Sequence, residues 1–142
     1  MIELRKTEGP RNDTSAPSRS TSVTILVVDD DPAMRTILNF SLRALGYRVL
    51  TAGDGEEALQ IARAQPEIRL IMLDVVMSGL SGKELAVQLK ASLPQSSILF
   101  CSGHPATAMA RHDIDLRVEH FLQKPCRPPE LKRKLEEILA TS

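Results

Sequence analysis

A chain of 142 residues with 18 basic and 18 acidic side chains carries no excess charge to draw it to nucleic acid or to an anionic membrane, since both reward surplus positive charge. That length makes one ordinary domain that buries its apolar surface without disulfides or a structural metal. With no Trp, one Tyr and three Phe, its core must be aliphatic and it has few platforms for stacked bases. Cys101 and Cys126 lack any metal-ligand spacing and no apolar run approaches the roughly 20 residues of a membrane span, so reduced thiols in a soluble cytoplasmic protein are expected.

Residues 1–22 are rich in Ser, Thr, Pro and Arg and too polar to repay the entropy of ordering, so they read as a flexible N-terminal tail or linker ahead of a domain over 23–142. Short apolar strands then alternate with amphipathic helices, the pattern of a parallel sheet covered on both faces. The first strand, Val23 to Val28, runs into Asp29 and Asp30. A helix follows from Pro32, capped by Asp31, with an apolar stripe of Met34, Ile37, Leu38, Leu42 and Leu45, and Gly46 ends it.

A second strand over Arg48 to Ala52 leads through Gly53, Asp54 and Gly55 into a helix carrying Ala58, Leu59, Ile61 and Ala62, closed by Pro66. Leu70 to Leu73 form a third strand ending at Asp74. Ser81 and Glu84 make a capping box that opens a helix burying Leu85 and Leu89 before Pro94. Strand four covers Ser97 to Cys101 and ends at Ser102. A weakly anchored helix spans Thr107 to Ile114, strand five covers His120 to Gln123, and a last helix from about Pro129 carries Leu131, Leu135, Ile138 and Leu139. Five strands and five helices are expected.

In an open parallel sheet the functional crevice lies beyond the carboxyl ends of the strands, where strand order reverses. The strand tips here carry acids (Asp29, Asp30, Asp74), a hydroxyl (Ser102) and an amine (Lys124). Adjacent carboxylates closing a buried strand repel unless a cation lies between them, and Asp29, Asp30 and Asp74 from neighbouring strands suit one octahedral Mg2+. Taken singly, each residue has a plainer use. Acids favour helix N-termini, Ser102 before Gly103 is turn chemistry, and Lys124 before Pro125 suits an exposed loop.

Together, Val27-Val28-Asp29-Asp30-Asp31-Pro32, Leu73-Asp74-Val75-Val76-Met77-Ser78-Gly79-Leu80-Ser81-Gly82, Ser102-Gly103 and Lys124-Pro125 resemble the receiver domain of two-component signalling systems, over roughly residues 23 to 140. The resemblance implies an α/β flavodoxin-like fold, a doubly wound (βα)5 three-layer sandwich with strand order 2-1-3-4-5. It implies that Asp74 accepts a phosphoryl group from a sensor histidine kinase or a histidine phosphotransfer protein. It also implies that Asp29, Asp30 and Asp74 hold Mg2+ with the Val76 backbone carbonyl. Lys124 would pair with Asp74 and then with the phosphoryl oxygens, Ser102 would turn in to hydrogen-bond them, and Phe121 would follow as the aromatic switch. An unidentified downstream protein would read the change on the surface of helix four, strand five and helix five, with no nucleic acid or membrane involved.

Four positions depart from the family's habits. Ser78 follows Met77 where Pro is common, Ser102 replaces the equally common Thr, Phe121 replaces Tyr and so lacks its hydroxyl, and Cys126 stands where Phe is frequent. Val76 offers no polar atom to orient water, so slow loss of the phosphoryl group is expected, modulated by His104. Two alternatives remain open: the receiver portion of a hybrid histidine kinase, and, from another class, an Mg2+-dependent phosphohydrolase with an aspartyl-phosphate intermediate. Such hydrolases place a second acid two residues after the nucleophile, where this chain has Val76.

Overall fold

The computed structural model describes residues 23–74, 82–102, 120–123 and 128–141. Their elements follow the chain as β1 (Thr24–Val28), α1 (Pro32–Ala44), β2 (Arg48–Ala52), α2 (Gly55–Ala64), β3 (Ile68–Asp74), α3 (Gly82–Ser92), β4 (Ser97–Ser102), β5 (His120–Gln123) and α4 (Pro128–Thr141). The helix expected over Thr107 to Ile114 lies outside the described residues, as does the Ser81 half of the expected capping box.

The five strands pair in parallel in the order β2-β1-β3-β4-β5. A parallel sheet needs helices on both faces, and side chains of alternate parity supply the two apolar layers. Leu26 and Val28 of β1 and Ile71 and Leu73 of β3 pack with Ala58 and Ala62 of α2 and Leu85 and Leu89 of α3. Ile25, Val27, Leu70 and Met72, one residue out of phase, pack with Leu38 and Leu42 of α1 and Leu131, Leu135 and Ile138 of α4. This is the doubly wound three-layer sandwich expected from the sequence.

β3 begins at Ile68, earlier than its sequence pattern indicated, because one residue is extra. Thr24 pairs with Ile68 but Ile25 pairs with Leu70, so Arg69 forms a bulge at the base of the sheet. Above it the ladder is regular, and Val28 pairs with Leu73. The next step brings Asp29 alongside Asp74, and both continue the parity that faces α1 and α4.

α1 starts as expected: Pro32 occupies its first turn and the Asp31 side chain accepts a hydrogen bond from the Ala33 N–H at 3.0 Å. Its stripe is narrower than the sequence reading. Leu38 and Leu42 are buried, but Ile37 is 56 % exposed, about 100° around the helix from Leu38 and beyond the reach of the sheet.

At the other end, the Gly46 N–H donates to the Arg43 carbonyl and the Tyr47 N–H to the Leu42 carbonyl, which closes the helix with Gly46 at φ 100°. No atom lies within 4 Å of where a Cβ on Gly46 would sit, so its replacement is opposed by backbone conformation alone. Gly46→Ala should lower the urea midpoint by about 1 kcal/mol of stability, the left-handed penalty less the gain from a stiffer unfolded chain. An unchanged midpoint would contradict that conformation.

Candidate functional site

The site forms at the carboxyl ends of β1 and β3, where strand order reverses: the chain leaves β1 for β2 on one side and returns past it to β3 on the other. Asp74 is the last residue of β3 and only 7 % exposed, Asp29 follows β1 and is 2 % exposed, and Asp30 faces solvent. One carboxylate oxygen from each of the three lies within 4.8 Å of the others. Two like charges at that separation repel by about 3 kcal/mol in a surface-like dielectric, so the cluster is arranged for something positive.

The protein holds these groups in place from the backbone outward. The Asp29 N–H donates to the Ala52 carbonyl of β2 at 3.1 Å, and the Asp29 carboxylate accepts from the Asp31 N–H at 3.0 Å. The Asp29 carbonyl accepts from Arg35 Nη1 at 2.7 Å. In the turn after β2, Asp54 caps α2 by accepting from the Glu57 N–H at 2.8 Å, while the Glu57 carboxylate accepts from the Gly53 N–H at 2.8 Å.

The donor set suits a hard cation. It offers carboxylate oxygens without imidazole or thiolate, two of them buried and one open to solvent, which matches Mg2+ and its retained waters better than zinc or copper.

Asp29, Asp30 and Asp74, expected together from the sequence, are brought together. Ser102 closes β4 one step beyond Cys101, which pairs with Asp74, and Phe121 of β5 pairs with Phe100 of β4; the side chains of Ser102 and Phe121 are outside the described parts. Gln123, the last residue of β5, pairs with Ser102, so Lys124 is the next residue of the chain, although Lys124, Val76, His104 and Cys126 all lie outside the described residues. Arg35 and Gly53 were not singled out in the sequence. Arg35 sits one turn after the acidic run, and its partner is a main-chain carbonyl that no pairing of side-chain types would reveal.

Comparison with known proteins agrees with this geometry. The profile of the response regulator receiver domain matches residues 25–136. The chain is 35% identical over 119 residues to the alkaline phosphatase synthesis transcriptional regulatory protein PhoP of Bacillus subtilis, covering 83% of this chain and 49% of that protein. It is 37% identical over 119 residues to the response regulator MprA of Mycobacterium ulcerans, covering 83% of this chain and 50% of that protein. The chain thus spans about half the length of the curated relatives it matches.

Among solved structures, the receiver domain of the hybrid histidine kinase CckA is 34% identical with a TM-score of 0.69, covering 82% of this chain and 98% of that one. The receiver domain of a sensor histidine kinase from Pseudomonas aeruginosa, solved with magnesium coordinated in its active site cleft, is 26% identical with a TM-score of 0.73, covering 84% and 99%. A strand order reversing beside a three-carboxylate cluster, a family profile spanning the sheet and these relatives converge: the chain belongs to the response regulator receiver family of two-component signal transduction.

Proposed function

We propose that this receiver takes a phosphoryl group onto Asp74 from a phosphohistidine of a sensor kinase or phosphotransfer protein, and that its phosphorylated form is recognised by a downstream protein. The observation that carries this reading is the packing of Asp74 against Asp29 and Asp30, three acids within 4.8 Å at the reversal of strand order. An Asp74 carboxylate oxygen attacks phosphorus and forms the C–O–P linkage of an acyl phosphate. The bond from phosphorus to the donor nitrogen breaks, and its electron pair stays on the imidazole. Such a transfer asks the protein mainly to hold the attacking oxygen in line, and a carboxylate only 7 % exposed at a strand end has little freedom to leave that position.

Asp29, Asp30 and Asp74, with the Val76 carbonyl, would hold Mg2+, which when bound would neutralise charge on the transferring oxygens. Lys124 would take the same part from the opposite side. The new group carries up to about two negative charges and three acceptor oxygens, to which Ser102 would donate a hydrogen bond while Phe121 packs inward. Partners would select that state by population shift, using the surface of β5, α4 and the segment between β4 and β5. No helix among the described residues is long and apolar enough to cross a membrane, and we place the domain's work in the cytoplasm.

Both domain settings have relatives. PhoP of Bacillus subtilis is named as a transcriptional regulatory protein about twice the matched length and CckA as a hybrid histidine kinase, so a receiver separate from its kinase and a receiver within a hybrid kinase are two settings for one chemistry. Incubation with acetyl phosphate, with and without Mg2+, followed by intact mass, tests the proposal. One phosphoryl group per chain, dependent on Mg2+, supports it, whereas phosphate released in large excess over protein would make the chain a hydrolase instead.

A further inference from the structure

We propose that Arg35, seated in a slot left open by Gly53, is a positioning residue that sets the angle between the two carboxylates ending β1 and thereby the affinity of the cluster for a divalent cation. This rests on the cation site proposed above.

Arg35 lies one turn into α1, its N–H donating to the Asp31 carbonyl at 3.0 Å. Long helical side chains lean toward the helix N-terminus, which carries the guanidinium back over the end of β1. There Nη1 donates to the Asp29 carbonyl at 2.7 Å. That carbonyl belongs to the peptide joining Asp29 to Asp30, so fixing its plane fixes the direction in which Asp30 leaves the chain. The Asp29 carboxylate is already held by the Asp31 N–H. Arg35 does the corresponding task for its exposed neighbour through the main chain.

The seat is equally specific. A Cβ on Gly53 would stand 3.0 Å from Arg35 Nη1 and 3.4 Å from Cζ, tight enough that the guanidinium would have to give way by a few tenths of an ångström. The φ of Gly53 is not left-handed, so what a side chain there would meet is the guanidinium and not a backbone restriction. The loop is anchored from below, since the Gly53 N–H is held by Glu57 Oε1 at 2.8 Å. Arg35 therefore braces the turn carrying the acids against a turn that is itself fixed.

The sign of the effect separates this role from simple electrostatics. A cation beside an acidic cluster opposes the binding of a second cation, so if charge alone mattered, Arg35→Ala would tighten Mg2+ binding. Positioning predicts the reverse. Calorimetric titration of the full chain with Mg2+ should show Arg35→Ala weakened by about tenfold, the lower end for residues that orient metal ligands.

Gly53→Ala, which leaves the arginine in the chain but crowds its guanidinium off the Asp29 carbonyl, should weaken binding in the same direction. The double variant should be no weaker than Arg35→Ala alone, because the two changes break one arrangement. Arg43→Ala is the control for general damage to α1, since Arg43 braces Asn39 and the Val49 carbonyl at the far end of that helix; its Mg2+ affinity should match wild type. Wild-type affinity or tighter binding in Arg35→Ala and Gly53→Ala, or equal weakening in Arg43→Ala, overturns the inference while leaving the proposed function intact. A wild-type chain that binds no Mg2+ overturns both.

Discussion

Asp74→Asn is expected to carry no phosphoryl group after incubation with Mg2+ and acetyl phosphate, under conditions where the wild-type chain gains one. The substitution keeps shape and volume at a position that is 7 % exposed and paired in register with Cys101, so the sheet is preserved. What it removes is the anionic oxygen pair that attacks phosphorus, because an amide is too poor a nucleophile to replace it.

Asp30→Asn makes the contrasting case. It leaves the nucleophile in place and takes one charge from the cluster, so phosphorylation should slow and recover in part at higher Mg2+. If Asp74→Asn still acquired a phosphoryl group, the acceptor would lie elsewhere. If extra Mg2+ did nothing for Asp30→Asn, that acid would have a task other than holding the cation.

The largest effect on stability is expected at Ile71. It is fully buried in β3, the middle strand of five, and packs into the layer shared with α2 and α3. Ile71→Ala should lose about 3–4 kcal/mol and Ile71→Val about 1 kcal/mol, the difference reflecting the cavity left when neighbours cannot close in. A domain of this size commonly has about 5–15 kcal/mol in all, so the alanine variant should give up a large share of its stability.

Urea titration at constant slope would measure both. Phe40, 77 % exposed on α1, gives the comparison, and Phe40→Ala should change stability by less than about 0.5 kcal/mol. A similar loss at the two positions would mean that the sheet's interior is not where the stability resides.

Much of this was legible in the chain itself, for reasons that vary by element. β1 and β3 announce themselves because strands covered on both faces are nearly continuous apolar runs, against which the acids Asp29 and Asp74 at their ends stand out although both stay buried. The cap of α1 was readable because Asp31 acts on a backbone group two residues away, and Asp54, read only as part of a turn, does the same for α2 three residues away.

What escaped depends on distance and geometry instead of residue type. Ile37 was taken for core because a helical period does not say how wide a face the sheet will cover, and here it covers the line of Leu38 and Leu42. The start of β3 was missed because Arg69 looks like a break in an apolar run. Arg35 was missed because its hydrogen bond ends on a carbonyl and its seat is defined by a side chain that glycine lacks.

The extra residue at the foot of β3 has a bearing on how this protein tolerates change. Because Arg69 is absorbed below the Ile25–Leu70 pair, the offset it introduces does not travel along the strand. Between Leu70 and Asp74 no such buffer exists. One residue added in that stretch would turn the accepting carboxylate through half a rotation to the opposite side of the sheet, among aliphatic neighbours, while every motif remained readable in the gene. The few residues above the bulge thus keep time for the chemistry.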